Sequence, residues 1–259
     1  MSDLTGVAGL LVQGTAGNRD TSKRPQRLAT PVIEDFVNQI VSGNFPPGTD
    51  LPSEANICRF LGISRTVLRE VLKVLEQKGL VRVENGKGTL VTERDEWNLL
   101  DPVVLPARLK YDEDGSFLDH LVRVRVALEA DMAAEAAEKA TAEQIAFMAT
   151  KIEELQSSIN NLERYFRSDR QFHDGFMRAS GNELSRAIVL NIYNEARVRL
   201  ESGLEDARLE LSMLGHVDIF NAISAHDPER AAEATRHHIS GAWQLKLEKA
   251  KPQQKSESK

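Results

Sequence analysis

Apolar residues recur at three- and four-residue intervals along most of this chain, which predicts helices wherever that spacing holds. Val32, Phe36, Val37, Ile40 and Val41 form the first stripe, with Thr30 placed to cap it and Pro31 to occupy its first turn. Gly43 ends the stripe, and Pro46-Pro47-Gly48 predicts a turn. Ser53 then caps a short helix running from Glu54 to Leu61. Leu61-Gly62-Ile63 reads as a tight turn, and Ser64 opens a second helix that ends at Lys78-Gly79. Here the period changes. Two short β-branched runs flank Asn85-Gly86, which predicts a hairpin. From Phe117 the helical period returns, first through Leu121, Val124, Leu128 and Met132 and then through alanine-rich turns to Ala140. Further stripes cover 142–164, 166–179, 183–203, 205–225 and 228–248. Breaks fall at Thr141, Ser180-Gly181-Asn182, Gly203 and His226-Asp227-Pro228.

Helix, turn, helix and β-wing in that order is the layout of a winged helix-turn-helix. The expected fold class is mainly α: an N-terminal winged helix-turn-helix followed by a C-terminal all-α bundle of about six helices. The expected organisation is a disordered arm over 1–25, a DNA-binding domain over 26–92, a linker over 93–115, an all-α ligand-binding domain over 116–249 and a disordered tail over 250–259. Trp97, two leucine pairs and Asp101-Pro102 make that linker one that packs.

Composition adds limits. No apolar run reaches the roughly 18 residues that suggest a membrane span, and the N-terminus has no basic-then-apolar leader pattern. A single cysteine, Cys58, fits a reducing cytoplasm. The net charge of -6 is unevenly spread. Residues 23–94 hold 11 Lys and Arg against 8 Asp and Glu, and residues 95–259 hold 21 against 29. DNA contact is therefore expected in the N-terminal domain alone, because the acidic half repels phosphate.

The second helix of such a motif lies in the major groove with its first residues at the base edges. Here those are Ser64, Arg65, Thr66 and, one turn on, Arg69. Arginine is the commonest reader of guanine because its fork matches O6 and N7. Asn85, Gly86 and Lys87 form the wing tip, where Lys87 supplies a charge for phosphate or the minor groove.

Asp169 and His173 are four residues apart and share a helix face among Phe166, Phe172, Phe176 and Met177. His216 and His238 lie on the apolar sides of two later helices. Two readings are open from spacing alone. One is a hydrogen-bonded core pair with two unrelated histidines. The other is a divalent metal site for Zn, Ni, Mn or Fe, with positions free for water or ligand. Such a site would also allow a metal-dependent hydrolase or lyase carried on a DNA-binding module. Glu183 and Glu201 are the only nearby candidates for its general base, by proximity in sequence.

The N-terminal motif resembles the GntR family of bacterial transcription regulators. The carrying residues are Pro46-Pro47-Gly48, Leu51-Pro52-Ser53-Glu54, Ser64 to Glu70, Leu75, Gly79-Leu80 and Gly86-Lys87-Gly88-Thr89. The helical half is similar to the FCD ligand domain of the FadR-type branch, through Val124 to Glu129, Asp169, Phe172-His173, Gly181-Asn182, His216 and His238. The resemblance implies that Asp169, His173, His216 and His238 hold a divalent metal, and that metal and arginine together bind a small organic acid. Arg125 becomes the carboxylate partner, against the alternative of a salt bridge to Glu129 at i+4. It also implies a homodimer on a palindromic operator, acting as a repressor that an acid releases. Trp97 to Pro102 resembles regulators of sugar-acid catabolism such as galactonate. Ala55 departs from the family pattern, which often has arginine there, so the operator is expected to differ from that of many relatives.

Overall fold

The computed structural model describes residues 25–84, 86–201 and 206–250, and divides into two compact units, Met1–Glu113 and Asp114–Lys259. The predicted arm, the tail and the break at Gly203 lie outside the described residues.

The first unit contains α1 (Pro25–Val41), α2 (Glu54–Leu61), α3 (Arg65–Gln77), β1 (Val81–Glu84), β2 (Gly88–Val91), a 3-10 turn (Arg94–Glu96) and α4 (Val104–Lys110). The caps form as the sequence predicts. Ser53 accepts from the Asn56 N–H and Ser64 from the Val67 N–H, satisfying orphan donors at two helix starts. Gly62, between the two helices, is left-handed at φ 64°.

The start of α1 differs from expectation. The helix begins at Pro25, so Pro31 lies inside it and Thr30 is no cap. Proline at 31 removes the N–H that would bond residue 27. The buried stripe of Val32, Phe36, Val37, Ile40 and Val41 lies C-terminal to that gap and forms unhindered.

β1 and β2 pair antiparallel, Val81 opposite Val91 and Glu84 opposite Gly88. The wing has a further backbone neighbour: Leu51 N–H donates to Thr89 O and Val91 N–H to Thr49 O. The Pro46-Pro47-Gly48 turn thus feeds directly into the edge of β2.

The predicted linker belongs to this first unit at least as far as Glu113. Trp97 is buried, and its indole N–H donates to Thr92 O. Val104 and Ala107 join the same core as Phe36, Leu68 and Leu72. Lys78, at the end of α3, pairs with Asp101 at 2.6 Å, and Asp101 also accepts from the Val103 and Val104 N–H groups to cap α4. Burial pushes the Asp101 carboxyl up, but Lys78 and these two amides outweigh it and hold it below the usual range.

The second unit holds six described helices: α5 (Ser116–Lys139), α6 (Ala142–Ser157), α7 (Leu162–Ser180), α8 (Glu183–Glu201), α9 (Asp206–Ser224) and α10 (Pro228–Ala250). α5 is central and touches α7, α8, α9 and α10. Ala133, Ala136 and Ala137 are fully buried on it, and small side chains let neighbouring helices approach closely. Val124, placed by periodicity in the apolar stripe, is exposed instead. The stripe at 142–164 is two helices, because Asn161 accepts from the Arg164 N–H and starts α7 afresh. The other breaks hold: Thr141 forms a capping box with Gln144, Gly181 is left-handed, and Asp227 caps α10 through the Arg230 N–H. No described helix is long and apolar enough to cross a membrane.

Candidate metal and effector site, and the DNA-reading helix

α7 carries Asp169 and His173 one turn apart, α9 carries His216 and α10 carries His238. The fold brings the four together. One donor atom from each lies within 4.8 Å of all the others. The His216 and His238 ring centroids are 4.2 Å apart, and His173 lies 5.4 Å from each. His173 and His216 are buried, while Asp169 and His238 are partly exposed.

His216 is the informative member. It is fully buried against Phe172 and Tyr165, and neither ring nitrogen has a hydrogen bond. Asp169 Oδ1 comes within 2.9 Å of its Nε2, yet the pair is not aligned as a hydrogen bond. An unsatisfied buried polar group costs about 1–3 kcal/mol. Burial pushes the His216 and His238 imidazoles below the usual range, which favours the neutral form with a lone pair available. Burial pushes Asp169 up, but the nearby histidines, His216 first, outweigh it and hold the carboxyl well below its usual range. Neutral imidazoles beside an ionised carboxylate are the donor set a divalent transition metal takes. The residues fit such an ion.

Gly215 makes room for this arrangement. A Cβ there would stand 2.5 Å from His238 Nδ1, so the ring edge rests on bare α9 backbone.

Behind the four lies a second layer, of which the sequence singled out Arg125, with Glu129 only as its alternative partner. Glu129 is completely buried on α5. Its Oε2 meets His173 Nδ1 at 2.6 Å and its Oε1 accepts from Arg125 Nε at 2.7 Å. Arg125 also donates to the Tyr193 hydroxyl, and its guanidinium carbon lies 4.1 Å from the centre of that ring. Burial opposes the charge on Glu129, but Arg125 and then His173 outweigh it and hold its pKa low. The i+4 salt bridge weighed as the alternative role for Arg125 is therefore present. Arg125 is buried beside the cluster, with part of its fork committed to Glu129 and Tyr193. Glu129 had a signal in its i+4 spacing to Arg125, and Tyr193 had only its place in an apolar stripe. Glu183 is exposed, and the side chain of Glu201 lies outside the described residues.

In the first unit, Arg65, Thr66 and Arg69 are exposed on α3. Arg69 is 71% exposed, and its 3.6 Å approach to Glu54 is a loose pair that phosphate or base contact can replace. Ser64 spends its acceptor on the cap, which leaves its hydroxyl proton free to donate. Lys73 extends the basic face one turn beyond Arg69 and was not singled out from sequence. Gly86 is left-handed at the wing turn, and Lys87 is exposed beside Glu84. Asn85 lies outside the described residues.

Comparison with known proteins supports both halves. The family described as "Bacterial regulatory proteins, gntR family" matches residues 28–91, and the FCD domain matches residues 120–241. The chain is 29% identical to the Galactonate operon transcriptional repressor of Escherichia coli K12, over 82% of this chain and 93% of that protein. It is 29% identical to the HTH-type transcriptional repressor NanR of Klebsiella aerogenes, over 89% of this chain and 92% of that one. A solved structure titled for Lar, which controls expression of the Listeria monocytogenes agr system, shares the fold at a TM-score of 0.54 and 14% identity, covering 89% of this chain and 99% of that one. The family consists of transcription regulators, which sets aside the hydrolase or lyase alternative. The chain joins a gntR-family head to an FCD domain, the make-up of a ligand-responsive DNA-binding transcription regulator.

Proposed function

We propose that this protein is a cytoplasmic, homodimeric repressor of genes for catabolism of a small organic or sugar acid. The acid enters the second unit at a divalent metal held by Asp169, His173, His216 and His238, and the operator is released. The observation that carries this reading is the buried His216, whose two nitrogens lack hydrogen bonds inside a cluster of four metal-type donors. A bound metal would supply a Lewis-acidic anchor for carboxylate and hydroxyl oxygens. Arg125 stands beside the cluster with a guanidinium suited to a carboxylate. The relative named for the galactonate operon supports a galactonate-like effector. Release requires the acid to bind the free form better than the DNA-bound form.

The test is a thermal-stability screen of the full chain against organic and sugar acids, metal-loaded and metal-stripped, followed by operator binding with each hit. The expected result is stabilisation by one acid class in the loaded form alone, with weakened operator binding. A stripped form that responds equally would remove the metal from the reading. Unchanged operator affinity at saturating acid would remove the release mechanism.

In the first unit, we assign base reading to Arg65 and Arg69, with Ser64 and Thr66 beside them, and backbone contact to the Asn85-Gly86-Lys87 wing tip. Arg65→Ala is expected to cost about 1–3 kcal/mol on the operator and to relax base preference at one position. Lys87→Ala is expected to weaken specific and random DNA alike and to flatten the salt dependence. Binding isotherms on both DNAs at several salt concentrations separate the two. Equal losses on both DNAs for Arg65→Ala would take it out of base readout.

A further inference from the structure

Glu129 is a fully buried carboxylate with both oxygens in use, and the two groups it holds belong to different parts of the pocket. Oε2 faces His173 Nδ1 at 2.6 Å, and an ionised carboxylate is an acceptor only, so the imidazole must carry its proton on Nδ1. In the neutral imidazole the lone pair is then on Nε2, the nitrogen left for the cluster. Oε1 takes Arg125 Nε at 2.7 Å, which fixes the plane of the guanidinium over Tyr193. Arg125 touches none of the four donor residues through any described hydrogen bond, yet it is one carboxylate away from one of them.

We propose that Glu129 is a shared positioning residue: through His173 it presets the nitrogen a metal takes, and through Arg125 it aims the guanidinium at an acid. This rests on the metal reading above. One rigid carboxylate serving both groups makes them interdependent. Loosening Arg125 loosens Glu129 and thereby the His173 tautomer. Partners that orient a ligating imidazole are typically worth 10–100-fold in metal affinity.

Glutamine at 129 has nearly the same shape but only one acceptor oxygen. It can satisfy the Arg125 N–H or the His173 N–H, and meets the other with its own N–H₂. Full-length Glu129→Gln is therefore expected to bind zinc about 10–100-fold more weakly than wild type, measured by competition with a chromophoric chelator. Arg125→Lys, which keeps the charge but loses the fork, is expected to weaken zinc at least about twofold. The double variant should be no weaker than Glu129→Gln alone, because both act through one carboxylate. Independently of any metal, nitrogen NMR of stripped, histidine-labelled wild type should show His173 protonated on Nδ1. That measurement stands even if a variant fails to fold.

The outcomes separate cleanly. No zinc uptake by wild type sinks the metal reading and this inference with it. Normal wild-type uptake with an unchanged Glu129→Gln affinity sinks the inference alone, as does a His173 Nδ1 that carries no proton. Full additivity of the two substitutions, or no effect of Arg125→Lys, overturns the sharing.

Discussion

His216→Ala is expected to abolish both the metal-dependent stabilisation and the acid response. The loss of zinc affinity should be at least about 100-fold, since even outer partners of a ligand are worth 10–100-fold. Stability of the stripped protein should change far less. The substitution opens a cavity beside Phe172 and Tyr165, and comparable large-to-small core changes cost about 2–5 kcal/mol. It also removes a buried Nδ1 that has no polar partner, and such a group carries a penalty of about 1–3 kcal/mol. These terms oppose each other. The signature is a collapse of the difference in melting temperature between loaded and stripped protein. A variant that keeps that difference, or still leaves the operator when acid is added, would sink the proposed site.

The second large effect belongs to Gly79, which follows α3. A Cβ at this position would lie 2.1 Å from the Glu96 carbonyl oxygen, with φ at +72°. The obstacle is backbone, so it has no flexible tip to swing away. Gly79→Ala is expected to destabilise the first unit by on the order of 3 kcal/mol or more, combining left-handed strain with overpacking. Gly62→Ala is the control. It shares the left-handed backbone at +64° but meets nothing within 4 Å, so strain alone should cost about 1 kcal/mol. Denaturant unfolding and operator affinity measure both. Comparable losses at the two positions would show that the close approach to Glu96 carries no energetic weight. The larger loss should also impair DNA binding, because Gly79 is where the end of α3 meets the segment that carries Trp97 and Asp101.

Much of the first unit was legible because its signals are local. Ser53 and Ser64 lie within three residues of the amides they cap. Gly62 and Gly86 take positive φ in turns only a few residues long. Pro31 shows the limit of such signals. Proline at a helix start is a statistical preference, and here the helix extends back to Pro25 despite it. In the second unit, Asp169 and His173 could be paired in advance because i and i+4 share a face. Spacing alone associated His216 and His238 with them only as one of two open readings, and the family resemblance favoured the metal.

What the sequence by itself determined is therefore set by short-range rules: helix period, capping chemistry, the winged layout of residues 54–91 and a titratable pair on one face of α7. The tertiary structure alone decided the rest. It brought donors from α7, α9 and α10 within 4.8 Å. It left His216 buried with both nitrogens free of hydrogen bonds. It carried Tyr193 from α8 to Arg125, and it set Glu129 between Arg125 and His173. It also laid Gly79 on the Glu96 carbonyl and tied Lys78 to Asp101 across 23 positions of chain. Periodicity specifies which face of a helix is apolar but not which neighbour that face meets. Convergence of side chains distant in sequence follows from how helices pack, and packing is a property of the whole core.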